Sequence, residues 1–130
     1  MANILLVSDE DEFREIFHLA LGKTGHTILQ ADNLETSLAH LRQTYGADLV
    51  ITDLGLGSKG GPSGGITIAR KALELKVKVV ILTMAPERAK AELIESRDGL
   101  RGLAYNRVRV IDKNLPLDRI LRDINDFASN

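Results

Sequence analysis

The sequence predicts an α/β fold of the doubly wound kind, a (βα)5 sandwich with a five-stranded parallel sheet of order 2-1-3-4-5. Two observations carry that expectation. Short apolar runs alternate with segments of helical periodicity from one end of the chain to the other. Several of these runs are apolar at consecutive positions, as strands buried on both faces must be. Right-handed crossovers then favour the order 2-1-3-4-5. Its functional crevice lies at the carboxyl ends of the strands, beside the point between the first and third where the winding reverses.

The elements follow in order. Ile4-Leu5-Leu6-Val7 is the first strand. Phe13, Ile16, Phe17, Ala20 and Leu21 have helical spacing, with Asp9 and Glu12 as a capping pair ahead of them and Gly22 and Gly25 to end the helix. His26 to Ala31 reads as the second strand. Leu34, Leu38, Leu41 and Tyr45 mark a second helix, entered through Asp32-x-x-Glu35 and closed near Gly46. Leu49-Val50-Ile51 is the third strand and leads to Thr52-Asp53. A glycine-rich loop from Gly55 to Gly65 follows, and a third helix begins near Gly65 and includes Ile66, Ala69 and Leu73. Val77 to Thr83 is the most strand-like stretch. Pro86 suits the first turn of a fourth helix, with Leu93 and Ile94 as its apolar members. Val108, Val110 and Ile111 make a fifth strand, and a last helix opened at Pro116 aligns Leu117, Ile120, Leu121, Ile124 and Phe127.

Composition narrows the function classes. A chain of 130 residues fits one domain. Its 17 basic and 18 acidic residues leave a net charge of −1, which gives no electrostatic case for nucleic acid or an anionic membrane. The absence of cysteine excludes disulfides and thiolate metal sites and suits a reducing compartment. The first apolar run is too short for a signal peptide or a membrane span. A soluble, cytoplasmic single domain is expected.

The strand order gathers Asp9 and Glu10 after the first strand, Asp53 after the third, Thr83 at the end of the fourth and Lys113 after the fifth. Carboxylates around an open position suit a cation of the magnesium class. A carboxylate can also attack phosphorus, provided that metal, lysine and hydroxyl stabilise the phosphoryl oxygens. Structural readings stand beside these. Asp9 and Glu10 favour a helix amino terminus, Asp53 can cap a turn, and Lys113 can be a surface lysine. Lys59-Gly60-Gly61 could cradle phosphate, but the loop lacks a Gly-Lys-Ser/Thr ending and follows the third strand, which favours a surface insertion. His18, His26 and His40 show no ligand spacing and read as surface or edge residues. Arg101, Arg107 and Arg109 either protect the edge of the fifth strand or form a docking patch. A nucleotide- or flavin-binding domain would share the sheet order, although 4% aromatic residues and no tryptophan argue against a flavin stacking site.

Ile4 to Glu10 with Arg14 downstream, Asp48 to Leu54, Val79 to Thr83, and Lys113 before the final helix form an ordered set at strand ends. In this set the sequence resembles the receiver domain of two-component response regulators, a flavodoxin-like fold, over nearly the whole chain. The resemblance implies that Asp53 is the phosphoacceptor. It implies Mg2+ held by Asp9, Asp53 and the backbone carbonyl of Gly55, with Glu10 as a further candidate ligand. Thr83 would donate its hydroxyl to the phosphoryl group, and Lys113 would pair with a phosphoryl oxygen. The donor would be a phosphohistidine on a sensor histidine kinase or a histidine phosphotransfer protein.

The same resemblance implies a stand-alone receiver over residues 1–130 with no output domain. It would not be an enzyme beyond its own phosphoryl transfer and hydrolysis. It would signal by binding a downstream protein target, with no direct nucleic-acid or membrane partner. The face of the fourth helix, fifth strand and fifth helix would serve for docking or for a homodimer. The chain departs from the family pattern at four positions. Ser8 stands for the first of two acids, Met84 for a small residue, Val110 for the switch aromatic (which Tyr105 is poorly placed to replace), and Asn114 for proline. The Asp53 loop and the stretch from Thr83 to Lys113 are also long. These departures keep open a pseudo-receiver, an interaction scaffold that is not phosphorylated.

Overall fold

The computed structural model of the chain describes residues 2–43, 46–56, 64–95 and 105–129, with the backbone alone for 94, 95 and 105. The described elements are β1 (Asn3–Val7), α1 (Asp11–Lys23), β2 (Thr27–Ala31), α2 (Leu34–Arg42) and β3 (Leu49–Asp53). They continue with α3 (Gly64–Glu74), β4 (Lys78–Thr83), α4 (Pro86–Glu95), a 3-10 turn (Tyr105–Arg107), β5 (Val108–Asp112) and α5 (Leu117–Ser129). All strand pairs are parallel and the order is β2-β1-β3-β4-β5, as the sequence predicts.

Side-chain parity divides the core into two layers. Leu5, Val7, Val50, Val79 and Ile81 point to one face and pack with Leu41, Ile68, Ala69, Leu73 and Leu93 of α2, α3 and α4. Ile4, Leu6, Leu49, Ile51, Val80 and Leu82 point to the other and pack with Phe17, Leu21, Ile120, Ile124 and Phe127 of α1 and α5. Both parities are buried in β1, β3 and β4, so these strands cannot show the polar alternation of a half-exposed sheet. Each large side chain removed from water adds about 1.5–3 kcal/mol to the driving force.

Several local expectations differ from the structure. The pair Asp9 and Glu12 does not cap α1. Its N-cap is Glu10, without a side-chain cap bond, because the turn from Ser8 to Glu10 carries its acids toward the sheet end instead. Helix α2 is capped by Asn33, whose Oδ1 accepts the Thr36 N–H at 2.8 Å, one residue after the expected Asp32. Gly22 lies inside α1, whereas Gly25 beyond its end takes the left-handed φ of 89° and donates to the Gly22 carbonyl. Ile16 was expected in the apolar face of α1 but is largely exposed, since Phe17 and Leu21 alone supply the fully buried contacts. Tyr45, Arg101, the side chains of Ile94 and Tyr105, and loop residues 57–63 lie outside the described residues.

At the edge of the sheet, Arg109 lies over the Phe127 ring at 5.1 Å and Arg107 donates to the Lys76 carbonyl. Both arginines therefore have intramolecular roles. Among the described residues no helix is long and apolar enough to cross a membrane.

Candidate functional site

The sheet register builds the site. Val7 pairs with Thr52, Asp53 with Leu82, and Thr83 with Asp112. One step beyond these partners stand Ser8 and Lys113, so the carboxyl ends of β1, β3, β4 and β5 converge. Ser8 continues the parity of Ile4 and Leu6, Asp53 that of Leu49 and Ile51, and Lys113 that of Ile111. These three side chains thus emerge on the side of the sheet covered by α1 and α5. Thr83 has the opposite parity, that of Val79 and Ile81.

Asp53 is buried, with 6% of its surface exposed, and both of its carboxylate oxygens are engaged. The Ser8 hydroxyl donates to Oδ2 at 2.6 Å, and the Lys113 ammonium donates to Oδ1 at 3.1 Å. The same ammonium donates to Glu10 Oε1 at 2.7 Å and lies 3.9 Å from the centre of the Phe13 ring. Burial pushes the Asp53 carboxyl above the usual carboxylate range; the Ser8 hydrogen bond and the Lys113 charge pull it only partly back, and Glu10 adds to the rise. For Lys113, burial alone would lower the value, but the Glu10 and Asp53 carboxylates outweigh it and hold the ammonium above the ordinary lysine range. Burial accounts for the first direction and the two acids around one cation for the second. Glu10 takes the shorter bond and leaves the deeper acid under-compensated.

Behind the carboxylate, the backbone of α3 comes very close. The Gly65 N–H donates to the Leu54 carbonyl at 2.8 Å, and a Cβ at this glycine would lie 2.0 Å from the Asp53 carbonyl oxygen. On the other side, the Thr83 carbonyl accepts the Lys113 N–H at 2.8 Å, which ties the lysine turn to the end of β4. The Thr83 hydroxyl oxygen accepts the Ala85 N–H at 3.0 Å, which leaves its proton to be donated elsewhere. Thr83→Ala is expected to cost about 1 kcal/mol by orphaning that N–H, and Thr83→Ser less than about 0.5 kcal/mol, read from urea midpoints.

Asp9, Glu10, Asp53, Gly55, Thr83, Met84 and Lys113 line one cleft of ≈ 180 Å³. The structure thus brings together the candidate site residues Asp9, Glu10, Asp53, Gly55, Thr83 and Lys113. Thr83 is not hydrogen-bonded to Asp53 among the described contacts, and Met84 stands 70% exposed at the lip. Two partners of the cluster were not foreseen: the Ser8 hydroxyl on Asp53 and the Phe13 ring under Lys113. A larger cavity of ≈ 260 Å³ lies at the opposite end of the sheet, where Leu29, His40 and Leu41 are among the described residues that line it and no described carboxylate does.

Among the described residues no group of three or more histidines or acids has metal-holding geometry. Asp9, Glu10, Asp53 and Gly55 line the cleft, so residues bearing hard oxygen donors border it. That set fits an ion of the magnesium class, which keeps several waters and takes one or two carboxylates plus phosphate oxygens.

Comparison with known proteins agrees with this geometry. The family described as the response regulator receiver domain matches residues 4–125. No curated protein matches the chain in sequence. Among solved structures, a response regulator receiver domain protein from Clostridium thermocellum superposes with a TM-score of 0.74 at 22% identity, covering 99% of this chain and 95% of that one. The response regulator TrrA from Thermotoga maritima, solved with Mg2+ and beryllofluoride, gives 0.70 at 24% identity and covers 98% and 99%. NtrX from Brucella abortus in complex with ADP gives 0.72 at 23% identity, and there the match covers 98% of this chain but 27% of the longer one. At these identities the structural likeness shows the fold.

Proposed function

The chain belongs to the response regulator receiver domain family, and from that premise we propose that it is a signalling module which accepts a phosphoryl group on Asp53. A phosphohistidine of a sensor kinase or phosphotransfer protein supplies the group. An Asp53 oxygen attacks phosphorus while the bond to the histidine nitrogen breaks, and the nitrogen leaves with the electron pair. The observation that carries this reading is the convergence of Asp53, Lys113, Thr83 and Asp9 on one small cleft, with the lysine already 3.1 Å from the acceptor carboxylate.

Lys113 follows the developing charge from the carboxylate to a phosphoryl oxygen, and the Thr83 hydroxyl donates to another. Asp9, Asp53 and the Gly55 carbonyl would hold Mg2+, which when bound would neutralise charge on the phosphoryl oxygens. Turnover is limited to transfer onto Asp53 and hydrolysis, and output passes to a downstream protein. A homodimer through α4, β5 and α5 is one form that output can take.

Incubation of the full chain with Mg2+ and acetyl phosphate is expected to add one phosphoryl group to the intact mass, and Asp53→Asn should abolish the gain. The rival reading is a scaffold that is never phosphorylated. It draws support from the Lys113 bridge between Glu10 and Asp53 and from Met84 at the cleft lip. Unchanged mass, together with no binding of beryllofluoride, would establish that rival.

A further inference from the structure

The Ser8 hydroxyl has a fixed direction. Its oxygen accepts the Glu10 N–H at 3.1 Å, and its own proton goes to Asp53 Oδ2 at 2.6 Å. Ser8 is fully buried, and the Arg14 guanidinium holds its carbonyl at 2.6 Å. Arg14 is anchored in turn by Asp11 at 2.7 Å and Gln30 at 2.9 Å. The turn that carries the hydroxyl cannot swing away without breaking charge-assisted bonds. On the other oxygen of Asp53 sits the Lys113 ammonium, itself steadied by Glu10 and by the Phe13 ring. One neutral donor and one cation therefore occupy the two oxygens of the carboxylate.

Ligand supply follows from that occupancy. A magnesium-class ion gives up water reluctantly and needs well-placed oxygens in return. While Ser8 and Lys113 each take an acceptor position on Asp53, and Lys113 also holds Glu10 Oε1, Asp9 is the cleft carboxylate that neither donor engages. A phosphoryl group reverses the situation, because it brings new anionic oxygens and draws the ammonium toward itself. Resting on the phosphoacceptor reading above, we propose that Ser8 is a positioning residue which, with Lys113, closes the resting Asp53 carboxylate without a divalent cation. Mg2+ then enters together with the phosphoryl group rather than before it. An acid in place of Ser8 would face Asp53 across a hydrogen-bond distance, and the two like charges would favour a cation or a shared proton between them at rest.

Calorimetric titration of Mg2+ into the full chain, with and without beryllofluoride, tests the proposal. Mg2+ alone should bind weakly and move Tm by less than about 1 °C, whereas beryllofluoride should tighten the apparent Mg2+ affinity about tenfold or more. Ser8→Asp should bind Mg2+ alone about tenfold more tightly than the native chain and gain Tm when Mg2+ is added. Should it fold only with Mg2+ present, that dependence is the same result. Ser8→Ala, which frees Oδ2, should also bind Mg2+ alone more tightly, and Ser8→Thr, which restores the donor, should return to the native weakness. Tight Mg2+ binding by the native chain at rest, with phosphoryl gain still seen, would overturn this proposal alone. Absence of phosphoryl gain and of beryllofluoride binding would overturn the phosphoacceptor reading on which it rests.

Discussion

Gly65→Ala is expected to lower stability by about 2–3 kcal/mol, which for a domain of this size is a fall in Tm of about 10 °C. A Cβ at Gly65 would stand 2.0 Å from the Asp53 carbonyl oxygen and 2.9 Å from that of Leu54. Both are backbone atoms at the end of β3, and Gly65 donates its own N–H to the second of them. No side chain can rotate aside to relieve the overlap, so the start of α3 or the end of β3 must shift. The helix propensity gained by exchanging glycine for alanine, about 1 kcal/mol, only partly offsets the strain. Gly64→Ala is the internal control. The three nearest atoms to its Cβ would all belong to the Leu56 side chain, at 3.1–3.2 Å, which calls for a shift of a few tenths of an ångström rather than a displaced backbone. Its cost is expected to stay below about 1 kcal/mol. Thermal melts of the two variants decide the point: equal losses would show that the first turn of α3 relaxes without involving Asp53. On the proposed phosphoacceptor role of Asp53, acetyl phosphate labelling should fall in Gly65→Ala and persist in Gly64→Ala, because only the former moves the backbone that carries Asp53.

The contrast between those glycines shows where sequence reasoning stopped. Gly64 and Gly65 close a glycine-rich stretch whose composition suggested either a phosphate cradle or a surface insertion. Nothing in that composition says that one glycine is there because a strand carbonyl leaves no room for a side chain. The sheet, by contrast, was legible. Runs such as Ile4 to Val7 and Val79 to Leu82 are apolar at both parities, which only a strand covered on both faces tolerates, and parallel order then follows from general winding rules. The convergence of Asp9, Glu10, Asp53, Thr83 and Lys113 was legible for the same reason, since each stands at or just after a strand end.

What failed was finer geometry. Asp9-x-x-Glu12 has the spacing of a capping pair, yet the turn before α1 places Glu10 beside Lys113 instead. Ser8 was read only as the loss of an acid. Its positive role was within reach of parity counting, because Ser8, Asp53 and Lys113 continue three strand faces that point the same way. The lesson is that a neutral residue at a charged position can still be a donor to the charge that remains.

Lys113→Met carries the second large effect, and its signature is its dependence on pH. The lysine side chain is 13% exposed and that of Asp53 8%, so removal of the ammonium strands a buried carboxylate with one neutral donor. Breaking such a pair costs about 3 kcal/mol near pH 7, while the methionine stem keeps the contact with Phe13. Glu10, 61% exposed, regains water and adds little. In the native chain Asp53 already sits above the usual carboxylate range, and Lys113 is among the influences that lower it. Its removal therefore raises the folded value further. A carboxyl raised in this sense stabilises the fold where it is protonated; that contribution is present below the unfolded value and is lost as pH rises through the folded one. The stability gap between native and variant chains should accordingly be small near pH 4 and widen toward pH 7. The Lys113 ammonium, held above its ordinary value by those same carboxylates, stays charged across that window, so the change within it comes from protonation of its acidic partners; the ammonium itself is lost only at alkaline pH. Urea midpoints from pH 4 to 8 read the gap directly. A gap of constant size would show that Lys113 acts through packing on Phe13 and that its charge does not compensate Asp53.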